Sequence, residues 1–383
     1  MKRLFIFLSL VSFFIPKLVL AQDEGLLTEA RSGILLEVST GKTLFEKNSK
    51  EKVAIASLTK MVAQIIILEN IENGTLTWDE IVTVSQNAAG MGGTQIWLVT
   101  GEKMSVRDLF KGISMASAND ATVAMAERIA GTEGAFVKLM NDKVNELGLK
   151  DTVFKNCTGL DEEGHLSTAY DIGIIALELL KHEEILEFTS VYEDYLRVNT
   201  ENKFWLVNTN KLVRFYEGAD GLKTGFTDAA KYCMTVTAKR NNMRIIAVVL
   251  GEEVSQTRNQ ETMELLDYGF NTYKVDMVKS KSESADTLKI EKGTVSGVNV
   301  FPKSDLSVLM KKSDISIKHE TSVKMNDIKL PLKKGDVVGK LYLKNGDKSV
   351  GEVDLIIDQD INKIGYLSHI WRGFVELLNG DYL

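Results

Sequence analysis

Ala56-Ser57-Leu58-Thr59-Lys60 opens a run in which Met61, Val62, Ile65, Ile66 and Leu68 give a broad apolar face at helical spacing, so a helix is predicted from near Ser57. A serine and a lysine three residues apart share one face of such a helix, and the ammonium nitrogen reaches the hydroxyl. Serine needs a base to act as a nucleophile near neutral pH. A lysine serves if burial and cationic neighbours lower its pKa. The helix N-terminus adds partial positive charge and free amides beside Ser57, suited to a developing oxyanion. Taken alone, Ser-x-x-Lys also occurs as an N-capping serine followed by a surface lysine.

Two further strings decide between these readings. Ser117-Ala118-Asn119 stands between one helix-like segment, Leu109 to Ala116, and another beginning near Asp120. A loop there aims a hydroxyl and an amide into a cleft. Asp220-Gly221-Leu222-Lys223-Thr224-Gly225-Phe226 places Lys-Thr-Gly on a strand, with glycine permitting close approach of a substrate backbone. Ser-x-x-Lys, Ser-x-Asn and Lys-Thr-Gly together are the joint signature of penicillin-binding proteins and class A β-lactamases. All three occur here in that order, on helix, loop and strand.

On these strings the chain resembles the low-molecular-mass D-alanyl-D-alanine carboxypeptidases, serine peptidases that trim peptidoglycan stem peptides. Further likeness lies in Gly41-Lys42-Thr43-Leu44-Phe45, Asn156-Cys157-Thr158-Gly159-Leu160 and Ser167-Thr168-Ala169-Tyr170-Asp171. The resemblance implies that Ser57 attacks the D-Ala-D-Ala carbonyl and that Lys60 takes its proton. It implies that Ser117 relays a proton to the leaving amine and that Asn119 binds the substrate amide. Lys223 would help to keep Lys60 neutral and attract the terminal carboxylate, with Thr224 beside it. The backbone amides of Ser57 and Phe226, next to Gly225, would form the oxyanion hole. Arg258, 35 residues after Lys223, matches the family's carboxylate-contacting arginine. Phe226 stands where some members carry histidine, so only its amide is implicated. β-Lactams are the expected inhibitors.

Working outward, Gly33 to Val38 and Thr43 to Glu46 predict a hairpin, and residues 105 to 190 are mostly helix patterns. Asp220 to Gly251 reads as strands with a turn at Asn241-Asn242, closed by a helix from about Gln256 to Tyr273. Strands at both ends with helices between predict an α+β fold, a penicillin-binding/serine β-lactamase-like domain whose terminal hairpins meet in one antiparallel sheet. The polar run Lys279 to Ser284 is the linker candidate, and short strands beyond it predict a small all-β domain. The expected division is 1–21 signal peptide, 22–278 catalytic domain, 285–363 β domain and 364–383 amphipathic helix.

Lys2 and Arg3 precede the short apolar run Leu4 to Ile15, and Val19-Leu20-Ala21 fits cleavage before Gln22. The longer run from Leu4 to Leu20 is interrupted by Pro16 and Lys17 and falls short of the ~20 apolar residues of a spanning helix. Removing it takes the formal net charge from −7 to about −10, which excludes an electrostatic affinity for nucleic acid. The expectation is an exported protein at the outer face of the cytoplasmic membrane or in the cell wall. At the other end, Ile364, Leu367, Ile370, Trp371, Phe374, Val375 and Leu378 recur at helical spacing. That stripe lies either on a membrane surface or against the protein.

Cys157 and Cys233 are no disulfide framework for 383 residues and read as structural. His165, His182, His319 and His369 form no ligand spacing, so no metal and no cofactor is expected, and His165 reads as a polar loop residue. A β-lactamase on the same scaffold is the rival enzyme, but the class A Glu-x-x-Leu-Asn string is absent. A non-catalytic wall-binding relative is the rival of another kind, and the intact motifs oppose it. The split between hydrolysis and transpeptidation depends only on whether water or an amine accepts the acyl group.

Overall fold

The computed structural model describes residues 25–314, 320–345 and 348–365. The expected signal peptide lies outside these residues, as do His319, His369 and all of the expected C-terminal helix beyond residue 365.

Five antiparallel strands form the central sheet, in the order Thr43–Lys47, Ser32–Glu37, Met243–Glu252, Lys231–Arg240 and Ala219–Thr227. The two terminal hairpins therefore meet in one sheet, through pairs such as Leu35 with Ala247. Asn241 closes the second hairpin with φ of +53°, the left-handed geometry its tight turn requires. Side chains alternate between the two faces of a strand. Ile246, Val248 and Leu250 pack into the core with Ile34 and Leu36. Ile245, Ala247 and Val249 pack into a second core with Leu35, Leu265, Leu266 and Phe270. Because both faces are covered, Met243–Glu252 reads as an unbroken apolar run in its middle.

The helix Ser255–Thr272 covers the second face, and the helices Lys60–Glu72 and Ala169–Leu179 belong to the first core. Residues Lys60 to Leu68 are all buried, so this helix is enclosed all round for more than two turns. The sequence pattern predicts a broad apolar face there; burial on every side goes further and takes Lys60 and Gln64 inside with it.

Tyr273–Lys279 follows directly on the last large helix and pairs with Leu306–Lys311, on the far side of the polar run expected as a linker. A second five-stranded sheet runs Asp286–Lys289, Gly297–Pro302, Lys348–Ile357, Val337–Asn345 and Glu320–Met325. Val300, Leu343, Leu355 and Ile357 are fully buried in its own core. The molecule is α+β, with the all-β part C-terminal, as the sequence predicts.

Candidate active site

Ala56–Thr59 makes one tight 3₁₀ turn that runs straight into the helix from Lys60. Ala56 has φ of +47°, an unfavourable region for an L side chain, immediately before Ser57. Lys60 is fully buried, and its Nζ lies 2.9 Å from Ser57 Oγ, 2.7 Å from Asn119 Oδ1 and 2.6 Å from the Thr158 carbonyl. Burial lowers its pKa to about 7, against an opposing pull from Cys157 and Asp120. A neutral amine has two N–H groups and one lone pair. Asn119 and Thr158 take the two hydrogens, and the lone pair then faces the Ser57 hydroxyl.

Ser117 sits at φ of +64°, after a π-type turn over Gly112–Ala116 and just before the helix Asn119–Ala130. Such turns and left-handed residues cluster at functional sites. The bend brings buried Ser117 and Asn119 to the same loop. Asn119 Nδ2 donates to the Gly92 carbonyl at 2.7 Å, and its backbone N–H donates to Thr94 O at 2.7 Å. Asp120 accepts from the amides of Ile96 and Leu98 at 3.2 and 3.0 Å, which pins the neighbouring loop to the site.

Ala219–Thr227 is the outer strand of the central sheet and lies against the Ala56–Thr59 turn. Gly225 is required there: a Cβ on it would stand 3.0 Å from Ser57 N, Ile55 O and Ala56 Cβ. Lys223 is buried and donates to Thr224 O at 2.8 Å. Burial first, then Lys60 and Arg258, push its pKa well below that of an ordinary lysine. Burial is the largest cause of the lowered Lys60 pKa as well, and the repulsion between the two lysines acts on both.

Thr224 donates its hydroxyl hydrogen to Thr209 Oγ1 at 2.8 Å. Phe226 is 50% exposed and its ring stacks 4.4 Å from that of Tyr232. The buried Arg258 guanidinium lies 5.7 Å from the Tyr232 ring and bonds to Asn259 Oδ1. Among the described residues no carboxylate forms an ion pair with Lys223 or Arg258.

The structure thus gathers Ser57, Lys60 and Asn119 by direct contact, sets Gly225 against Ser57, and places Lys223 in the field of both Lys60 and Arg258. Ser117 and Thr224 join them through their chain neighbours. Cys157 and Cys233 are both free and buried. His165 departs from the sequence reading: it is only 4% exposed, because the loop that carries it folds under the Ser57 turn. The Thr158 carbonyl, Thr209 and Tyr232 are site groups without a prior signal. A backbone carbonyl comes with every residue type, and the Thr209–Thr224 contact joins positions that no local pattern links.

Residues 20–254 match the family model described as D-alanyl-D-alanine carboxypeptidase. The chain belongs to that family. Residues 273–363 of this carboxypeptidase match the model for the C-terminal domain of penicillin-binding protein 5. The D-alanyl-D-alanine carboxypeptidase DacF of Bacillus subtilis is 44% identical over 364 residues, 94% of either chain. Penicillin-binding protein 5 of Haemophilus influenzae has a similar solved structure, with TM-score 0.70 and 27% identity over 88% of this chain and 98% of that one. Penicillin-binding protein D2 of Listeria monocytogenes, solved in an ampicillin-bound form, covers 63% of this chain and 98% of its own at 34% identity and TM-score 0.57. The protein is a serine-type D-Ala-D-Ala carboxypeptidase, and neither the β-lactamase nor the non-catalytic reading is favoured.

Proposed function

We propose that this carboxypeptidase removes the terminal D-alanine of peptidoglycan stem peptides through an ester on Ser57. The observation that carries the reading is Lys60, enclosed, with two hydrogen-bond acceptors and the Ser57 hydroxyl around one nitrogen. Neutral Lys60 takes the Ser57 proton as Oγ attacks the penultimate carbonyl. The oxyanion is received by the backbone amides of Ser57 and Phe226. Collapse expels D-alanine, whose amine takes a proton relayed through Ser117. Water then attacks the ester, with Lys60 again as base, and frees the shortened peptide. Asn119 keeps one N–H and one lone pair for the peptide amide beyond its contacts to Gly92 and Lys60. Lys223, Thr224 and Arg258 receive the terminal carboxylate, whose charge offsets the two buried cations.

Supplied with a stem pentapeptide ending in D-Ala-D-Ala, the protein is expected to release one D-alanine per peptide, with repeated turnover, and leave the L-Ala-L-Ala counterpart intact. Lys223→Ala should raise KM at least ~10-fold, the scale of a lost charged hydrogen bond of ~1.5–3 kcal/mol, with a smaller change in kcat. Release of D-alanine by Lys223→Ala at the native KM would remove that residue from carboxylate capture.

We infer the same chemistry for β-lactams, which present a strained amide and a carboxylate in the same relation; the ampicillin-bound relative supports this. We also infer an exported, wall-facing protein, from the segment 1–21 and the nature of the substrate. No helix among the described residues is long and apolar enough to cross a membrane. The stripe from Ile364 to Leu378 is read as a membrane-surface contact held by apolar burial, at ~25 cal/mol per Å², since Glu376 and Asp381 leave little attraction to anionic lipid. Deleting residues 364–383 should leave peptide turnover intact and release the protein from membranes that retain the full chain through a high-salt wash. Equal solubility of the two forms would assign the stripe to packing against the protein.

A further inference from the structure

The buried His165 is tied into the catalytic turn by a hydrogen-bond chain whose direction can be read. The Lys155 backbone N–H donates to His165 Nδ1 at 3.3 Å, so Nδ1 carries the lone pair and Nε2 the hydrogen. Nε2 then donates to Thr59 Oγ1 at 2.8 Å, which leaves the Thr59 hydroxyl hydrogen for the Ala56 carbonyl, also at 2.8 Å. The Phe154 ring meets the imidazole edge-on at 5.6 Å, and burial lowers the His165 pKa to about 4, so the neutral form prevails near neutral pH.

The end of that chain is the informative atom. Ala56 O and Ser57 N–H belong to one peptide unit, which is planar and trans, so the two groups point in opposite directions. Whatever holds the carbonyl aims the amide. Gly159, at φ of +84°, backs against the same oxygen so closely that a Cβ would fall 2.0 Å from it and 2.9 Å from Thr59 Oγ1. On the opposite side, Ser57 N faces Gly225 on the outer strand. Ala56 is held at φ of +47°, a conformation that persists only where its surroundings over-determine it.

We propose that His165 is a positioning residue that, through Thr59, fixes the Ala56–Ser57 peptide plane and so aims the Ser57 N–H at the oxyanion. This rests on the reading of that amide as an oxyanion donor in the Ser57 acyl-enzyme pathway. His165 touches no reacting atom, so its effect falls on the transition state and not on substrate capture.

The test compares His165→Leu, His165→Gln, Thr59→Val and the Leu/Val double variant. Each is assayed for kcat and KM on a D-Ala-D-Ala peptide and for affinity toward a peptidyl boronic acid, whose tetrahedral adduct places an oxygen in the oxyanion position. Removal of a whole oxyanion donor costs ~10²–10³-fold in kcat; misaiming one should cost about tenfold or more. His165→Leu and Thr59→Val are expected to show that loss in kcat and in boronate affinity, with KM nearly constant. The double variant should be no worse than either single one. His165→Gln, with an amide N–H to offer Thr59, should recover most of the rate. Unchanged kcat and boronate affinity in His165→Leu, a change confined to KM, or additive losses in the double variant would overturn the proposal. If His165→Leu does not fold, Thr59→Val against Thr59→Ser makes the same comparison, since serine retains the hydroxyl. A wild-type chain that takes no penicillin label at Ser57 defeats the acyl-enzyme reading itself. Normal wild-type labelling with an unaffected His165→Leu defeats the positioning role alone.

Discussion

Labelled benzylpenicillin should attach covalently to Ser57 and to no other residue, and Ser57→Ala should take up no label. Its turnover of a D-Ala-D-Ala peptide should fall about 10⁶-fold, the scale on which a serine peptidase responds to loss of its nucleophile. The expectation follows from geometry. Ser57 Oγ is the only side-chain hydroxyl that hydrogen-bonds Lys60 Nζ among the described residues, and Gly225 brings the outer strand against the Ser57 amide. Thr59, two residues on, is already committed to the Ala56 carbonyl, and Ser114 Oγ accepts from Gln64. The alanine substitution removes one hydroxyl group from a half-buried position, so the fold should survive it. Peptide mapping after labelling checks the result. Full-yield labelling of Ser57→Ala would show that another residue is the nucleophile.

Lys60 should govern the acid side of the pH profile. Its pKa falls from 10.5 to about 7 because the ammonium is enclosed without a carboxylate in contact. The amine must be neutral to accept the Ser57 proton, so kcat/KM should rise with pH through about 7 and lose about tenfold per unit below it, as a single-base titration requires. An ordinary exposed lysine would put the same rise near pH 10.4. Lys60→Ala should reduce acylation by ~10²–10⁴-fold through loss of the proton transfer. It would also strip Asn119 Oδ1 and the Thr158 carbonyl of a donor, so part of the loss is misplacement of Asn119. Stopped-flow acylation by a chromogenic β-lactam from pH 5 to 9 checks both statements. A flat profile in the native protein, or near-native acylation by Lys60→Ala, would give the base's role to another group.

Much of this site is legible before folding because its chemistry lies in side chains of distinctive type at short spacing. Ser57 and Lys60 are one helical turn apart, Ser117 and Asn119 share a bend, and Lys223 to Gly225 lie along one strand. Helical and strand periodicity then sets each string on its element, and the apolar run Ile245 to Leu250 marks a strand with two covered faces. These are local regularities, and the chain alone determined them: an α+β protein with a Ser-x-x-Lys turn, a Ser-x-Asn bend and a Lys-Thr-Gly strand.

Burial and backbone geometry had to wait for the tertiary structure. Nothing around Lys60 in sequence states that helices and loops from residues 112 to 165 enclose it, yet that enclosure moves its pKa by more than three units from 10.5 to about 7. The Thr158 carbonyl is a group that every residue possesses, so its selection as a Lys60 acceptor leaves no compositional trace. His165 has the composition of a polar loop residue and lies inside because its loop folds beneath the Ser57 turn 106 positions away. Thr209 meets Thr224 only because the chain after the hairpin at residues 193–207 returns to the outer strand. Residue type and spacing marked the candidate groups. Packing between distant segments decided which of them lost solvent and how Ser57, Lys60 and the Ser57 amide are placed.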